Sequence, residues 1–322
     1  MLLDELGAEP ALGVHRTGHA HDVTPRDAGA ARSPTTSIRH TRLHRTWQKP
    51  RTIPAVSFRL ALHTWTLDTT PLAEALRTAR ETGWDAVELR RIDFARAAEQ
   101  GMDADAVIDV VKKSGLPVAC VGVEHGWMWA EGDVRRRLLR VFAEQCERAA
   151  RLGCATMMSP VDVGAGDVKA AAGSVKEVGD IAARHGVRLA VEFNSQAGQL
   201  NRLDRLREVL AQAAHPQCGL LIDAYHLTRS GGTPSDVAAL GAGEIGYVQF
   251  SDVPATGLEP GKALNRLPPG HGVVPFKEFF RAIAATGYRG YVSYEAPNPA
   301  AWARPPAEVA REALLATRTL LS

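Results

Sequence analysis

Four short apolar runs of this 322-residue chain each lead into an oxygen-bearing side chain: Glu192 in VRLAVEFNS, Asp223 in CGLLIDAYH, Gln249 in IGYVQFSDV and Glu295 in GYVSYEAPN. Singly, each has an ordinary structural reading. Glu192 could pair with Arg188, Asp223 could cap the turn that closes its run, Gln249 could cap a loop, and Glu295 could accept backbone donors. Brought to one place, they have a chemistry. Three crowded carboxylates repel one another and raise their own pKa values, and a bound divalent cation is the natural compensation. Oxygen donors with no thiolate and no required imidazole suit a hard or borderline ion, Mn²⁺ or Mg²⁺ first, then Co²⁺, Fe²⁺ or Zn²⁺. An ion with open positions can chelate the carbonyl and neighbouring hydroxyl of a keto-polyol and stabilise the enediolate formed when the α-proton leaves. Glu192 and Glu295 are the candidate base and acid from opposite sides of the substrate, and His226, three residues after Asp223, is the next candidate proton carrier.

That convergence requires a scaffold. From residue 58 onward, eight β-rich runs (58–67, 86–91, 118–125, 154–161, 187–195, 218–226, 245–253 and 290–298) alternate with amphipathic stretches such as PLAEALRTARETG and VPFKEFFRAIAATG. Strands alternating with helices imply right-handed βαβ units and a parallel sheet, and eight in about 265 residues match the size of an α/β (β/α)8 TIM barrel. A doubly wound sheet is the rival. It is disfavoured because GAGDV (164–168) and GAGEI (241–245) both lack the GxGxxG fingerprint. A barrel carries its chemistry at the C-terminal ends of its strands, where runs five to eight deliver the four residues. Period-two alternation turns Ala190 with Glu192, Tyr247 with Gln249 and Ser293 with Glu295 inward, and Val191, Val248 and Val292 toward the helices.

Other residues at this rim are substrate-contact candidates: His63 in LHTW, Glu88 and Arg90 in VELR, and Trp127 in EHGWMW, with Trp65 and Trp129 able to stack on a sugar face. Packing under a loop competes with each. Asn194 and Asp252 are candidates to support the ligands beside them, and His271 reads as a loop histidine.

Composition narrows the class. Lys and Arg total 38 against 36 Asp and Glu, and residues 53–322 hold 30 basic against 31 acidic residues and six histidines. No basic groove for nucleic acid follows, which weighs against a histidine-rich multi-metal endonuclease. No apolar run is long enough for a membrane span, and the four cysteines show no metal-site or disulfide spacing, so a cytoplasmic protein with buried free thiols is expected. Residues 1–52 carry five of the eleven histidines and no apolar period. They are expected to form a disordered N-terminal extension, with 53–322 as the catalytic domain.

The segments VEFNS, DAYH, VQFSD, RLPPGHG and YEAP, over residues 56–320, resemble the sugar phosphate isomerase/epimerase family of xylose-isomerase-like TIM barrels. The resemblance implies that Glu192, Asp223, Gln249 and Glu295 ligate one divalent metal, and that His226 and Arg266 contact substrate oxygens. Ketose 3-epimerases of the family usually carry His where this chain has Gln249. The glutamine looks more like the inosose isomerases and 3-dehydroshikimate dehydratases. The expected function is a metal-dependent isomerase or epimerase of a small keto-sugar or keto-cyclitol, the alternatives being a dehydratase of the same fold or a barrel that binds without turnover. Homo-oligomerisation stays open.

Overall fold

The computed structural model describes residues 57–257 and 263–322. The reading of residues 1–52 as an extension lies outside the described residues. Strands β1 (Arg59–His63), β2 (Ala86–Leu89), β3 (Val118–Gly122), β4 (Thr156–Pro160), β5 (Arg188–Glu192), β6 (Cys218–Asp223), β7 (Ile245–Phe250) and β8 (Tyr291–Tyr294) pair in parallel in chain order. β8 returns to pair with β1, Leu62 opposite Tyr294, and closes the barrel. The first connections hold helices α1 (Leu72–Thr82), α2 (Arg91–Glu99), α3 (Ala104–Ser114), α4 (Gly132–Arg151), α5 (Val168–Arg184) and α6 (Leu203–Ala213). After them come α7 (Ala224–Arg229), α8 (Pro234–Ala238), α9 (Phe276–Ala285), α10 (Pro299–Trp302) and α11 (Pro306–Leu321). Among the described residues, no helix is long and apolar enough to cross a membrane.

Strand alternation divides the apolar residues into two compartments. Val191, Val248 and Val292 join the layer between strands and helices, whereas Ala61, Ala86, Cys120, Met158, Ala190, Leu221 and Tyr247 fill the barrel interior. Helix α9 shows how the outer layer is fastened. Its sequence FKEFFRAIAA puts Phe276, Phe279, Phe280 and Ile283 on the buried side, and the Phe280 ring lies 5.4 Å from that of Phe250 on β7. Truncating Phe280 to Ala would cost about 3–5 kcal/mol through lost burial and the cavity left behind.

All eight strands are shorter than the runs in the sequence, and two of them stop at residues of interest. The first run ends as strand at His63, whose imidazole accepts the backbone N–H of Trp65 and starts a 3-10 turn over Thr64–Leu67. The sixth ends at Asp223, whose carboxylate accepts the N–H of Tyr225 and caps α7. In each case a side chain at the strand tip satisfies a helical donor that would otherwise be orphaned.

Candidate active site

The register of the second half of the barrel aligns the four oxygen-bearing residues. Asp223 lies opposite Gln249, and Gln249 opposite Ser293. Glu192 ends β5, and Glu295 follows β8 directly, its backbone N–H donating to the carbonyl of Phe250. All four side chains are buried. Arg266, also buried, reaches between them. Its Nη1 donates to Asp223 Oδ2 at 2.8 Å and to Glu295 Oε2 at 2.9 Å, while its guanidinium lies 4.3 Å from the centre of the Tyr225 ring.

Arg266 Nη2 sits 3.2 Å from His226 Nε2. A guanidinium can only donate, so it points an N–H at Nε2, while Nδ1 accepts the Ser195 backbone N–H at 3.3 Å and lies 2.9 Å from Ser195 Oγ. Burial holds His226 well below the ordinary histidine range, and the charges of Arg266 and Arg229 push the same way. The ring is therefore neutral. The same chemistry applies to His63, lowered by burial, Arg90 and Arg266. Its Nδ1 is occupied by the Trp65 N–H, so Nε2 carries the proton and faces Glu295 Oε1 at 3.4 Å.

The carboxyls are driven the other way. Burial raises Glu192 well above the usual carboxylate range, and Glu295 and Asp223 add to the rise. Burial raises Asp223 to about 6, with Arg266 opposing the rise and Glu295 adding to it. Burial works against the charge of Arg266, but Glu295, Asp223 and Glu192 outweigh it and raise its pKa further.

A divalent cation fits this donor set. Oxygen or nitrogen atoms of Glu192, Asp223 and His226 approach within 4.8 Å of one another. Two buried oxygens, Glu192 Oε1 and Gln249 Oε1, have no hydrogen-bond partner among the described residues. Buried polar atoms are rarely left so, and oxygens without a donor beside acids forced toward protonation are what a cation would relieve. His226, expected to contact substrate, stands near enough to share in such a site.

The remaining sequence candidates divide. His63 joins the site through Glu295. Glu88 does not reach substrate space: it points into the barrel from β2, is 0% exposed, and accepts the Gln249 Nε2–H at 2.8 Å. Burial and the charge of Glu295 push it up to about 8. Its expected role as a substrate contact is corrected to a contact with Gln249 inside the barrel. Trp127 is corrected as well. Only 1% exposed, it packs in the outer apolar layer against Phe142 of α4 and bonds Ser159 Oγ of β4 through its indole N–H at 3.0 Å. A ring held by an α/β wall presents no face to a ligand. Arg90 pairs with Asp68 at 2.7 Å and lies over Trp65, serving the base of the first loops. Trp129 donates its indole N–H to the carbonyl of Asp167.

Asn194 and Asp252 have other work than bracing ligands. Asn194 accepts the Gln196 N–H in its own turn. The Asp252 carboxylate accepts backbone N–H groups from Val253, Gly270, Gly272 and Val274 at 2.8 to 2.9 Å, and its backbone exchanges bonds with Leu267. It is the hub of the loop that carries Arg266. Gly272 is required there, since a Cβ would meet the Val253 carbonyl oxygen at 2.1 Å. His271 is exposed on this loop. Sequence reasoning missed Ser195 and Tyr225, which orient His226 and Arg266. Their only signal was adjacency to EFNS and DAYH.

Residues 76–320 match a family model described as xylose isomerase-like TIM barrel. The 3-dehydroshikimate dehydratase of Pseudomonas putida is 28% identical over 151 residues, which make up 46% of this chain and 24% of that protein. The inosose isomerase of Halalkalibacterium halodurans is 25% identical over 124 residues, 38% of this chain and 44% of that protein. The chain thus matches about a quarter of the dehydratase's length and less than half of the isomerase's. Among solved structures, the IolI protein with a bound zinc atom superposes with a TM-score of 0.75 at 18% identity, covering 82% of this chain and 98% of that one.

Proposed function

The chain belongs to the xylose isomerase-like TIM barrels, and from that premise we propose that it is a divalent-metal-dependent isomerase or epimerase of a keto-sugar or keto-cyclitol. Glu192, Asp223, Gln249 and Glu295 would hold the ion, with Mn²⁺ or Mg²⁺ suiting the oxygen donors and the zinc in the IolI protein showing that the fold admits a borderline ion. When bound, the cation supplies positive charge that polarises a substrate carbonyl and makes the neighbouring C–H more acidic.

The chain's own residues do the rest. Glu192 Oε1 is buried and without a hydrogen-bond partner among the described residues, and burial with the neighbouring carboxyls raises this carboxyl's affinity for protons, as a group that takes and returns a proton requires. This is the observation that carries the reading. Glu295, bonded to Arg266 and facing His63, is the second proton carrier, on the other side of the substrate. Arg266 binds substrate oxygens as a donor, with the neutral His226 beside it. Their burial keeps competing water away from the exchanging proton.

A second reading has one observation in its favour, the dehydratase similarity. The same proton abstraction followed by loss of a β-hydroxyl gives dehydration in place of isomerisation. A proton-NMR screen of keto-polyols in D₂O with metal-reconstituted protein separates the two. Deuterium entering the α-position with an isomeric product supports the isomerase or epimerase. An unsaturated product supports the dehydratase. Absence of exchange and product across cyclitol ketones, ketoses and dehydroshikimate would refute both.

A further inference from the structure

Gln249 raises a problem that a carboxylate or an imidazole ligand does not. A carboxamide has two ends of nearly equal shape and opposite chemistry, and only the oxygen end can face a cation. Something must tell the amide which way to turn. The described residues supply one group placed to do so: Glu88 on β2, across the barrel from β7, accepts the Gln249 Nε2–H at 2.8 Å.

We infer that Glu88 is a positioning residue that fixes the amide of Gln249 with its oxygen free for the metal. The inference rests on the metal-dependent reading above and goes beyond it. Three observations carry it. Glu88 is wholly buried inside the barrel, where a carboxylate is costly and is not retained for packing. Its Oε1 is spent on Gln249 and not on an arginine or lysine. Gln249 Oε1, turned away from Glu88 by the geometry of the amide, has no hydrogen-bond partner among the described residues although it is buried. The flipped amide would point its N–H groups toward the cation and, wherever the Glu88 carboxyl is ionised, lose its hydrogen bond to Glu88 and set two oxygens against each other. A pair on opposite strands thus does for an amide what a carboxylate behind a ligating imidazole does for the ring. His63 Nε2, 3.7 Å from the same Glu88 oxygen, limits its movement from the β1 side.

Mn²⁺ titration of the full-length chain, followed by electron paramagnetic resonance with folding checked by circular dichroism, tests this. Wild type should take up one ion. Glu88→Leu removes the acceptor and should weaken Mn²⁺ binding by about 10- to 100-fold, the range for supporting groups behind metal ligands. Gln249→Leu should weaken it comparably, and the double variant should be no weaker than the worse single variant, because Glu88 acts only through Gln249. Glu88→Gln, which keeps an acceptor oxygen, should restore binding to within about threefold of wild type. Full affinity in Glu88→Leu, or losses that multiply in the double variant, would overturn the inference and leave the metal site standing. If Glu88→Leu does not fold, Glu88→Gln decides: a tenfold loss there would show that charge and not the acceptor matters, and would overturn the inference. A wild-type chain that takes up no Mn²⁺, Mg²⁺, Co²⁺, Fe²⁺ or Zn²⁺ would overturn the metal-dependent reading itself.

Discussion

Strands β1–β4 and β5–β8 form one continuous barrel with the same pairing rules, yet they treat their rim positions differently. The second half places Glu192 and Asp223 at the ends of β5 and β6, Gln249 one residue before the end of β7 and Glu295 one residue past β8. The first half places His63 and Glu88 near the same centre, and from β3 and β4 it contributes Cys120 and Met158 to the apolar interior. Neither His63 nor Glu88 is a member of the proposed ligand set, but each touches one: His63 faces Glu295, and Glu88 holds Gln249. The difference teaches a division of labour. One half presents the chemistry, and the other half, from across the lumen, fixes how it is presented.

Breaking the presenting half should have the largest effect. Asp223→Ala removes a proposed ligand, the α7 cap and one of the two carboxylates on Arg266. Metal content measured by mass spectrometry should fall from about one ion per chain to near zero, with turnover lost by on the order of 10³ or more, while circular dichroism still reports the barrel. Retained metal would show that the ligand set is misassigned.

Glu192→Gln and Glu295→Gln separate proton transfer from metal binding, since each keeps an oxygen. Both variants should retain metal yet lose on the order of 10² to 10⁴ in turnover. The variant at the first base should also abolish solvent deuterium exchange, whereas the other can leave exchange while blocking product. Wild-type rates in both metal-loaded variants would pass the role to His226.

Asp252→Ala loosens the loop behind Arg266 without touching the ligands. Loss of four backbone donors' acceptor should cost about 3 kcal/mol in chemical denaturation, the scale of one or two charge-assisted hydrogen bonds. KM should rise more than kcat falls. An unchanged midpoint would mean that other contacts hold the loop.

A pH series sharpens the electrostatic side of the comparison. Asp223 is raised to about 6 and Glu88 to about 8 in the folded chain, above ordinary carboxylate values, so these two groups bind more protons in the native state than in the unfolded one between about pH 4 and 8, while His63 and His226, lowered by burial, work the other way only below about pH 6.5. Stability without metal should therefore fall most clearly as pH rises from about 6.5 toward 8. Thermal melts in chelator should show a lower Tm at pH 8.5 than at pH 6.5, and added Mn²⁺ should recover more at the higher pH. A metal-free Tm that climbs across that window would contradict the crowding of acids. The smallest effect belongs to Trp127→Phe, which removes one indole bond in the outer wall. A loss of about 1 kcal/mol with KM unchanged is expected; a raised KM would return Trp127 to the substrate site.

The strand-end residues were legible because an apolar run followed by a polar side chain, repeated at βαβ spacing, has few explanations. Their parity was legible for the same reason, as Val191, Val248 and Val292 on the outer side show. Glu88 was visible as a rim residue, but its partner was not, because Gln249 is 161 residues away in the chain and no local pattern encodes which side chains meet across a lumen. Trp127 misled because an aromatic beside a rim reads alike whether it faces the lumen or the helices. Arg266 was recognised for its loop, but its bridging of Asp223 and Glu295 depends on how far that loop folds inward, which the Asp252 hub decides through backbone bonds that no residue pattern shows.

The closing seam has a consequence for timing. Glu295 sits one residue past β8, the strand that joins β7 on one side and β1 on the other. During synthesis, Glu192, Asp223 and Gln249 all leave the ribosome before β8, and His63, which meets Glu295 across the seam, leaves first of all. Chains folded up to β7 therefore hold an incomplete set, however well their seven strands pair. Glu295 arrives in the same event that removes the barrel's open edge, so the full set of rim side chains is assembled only in a closed barrel.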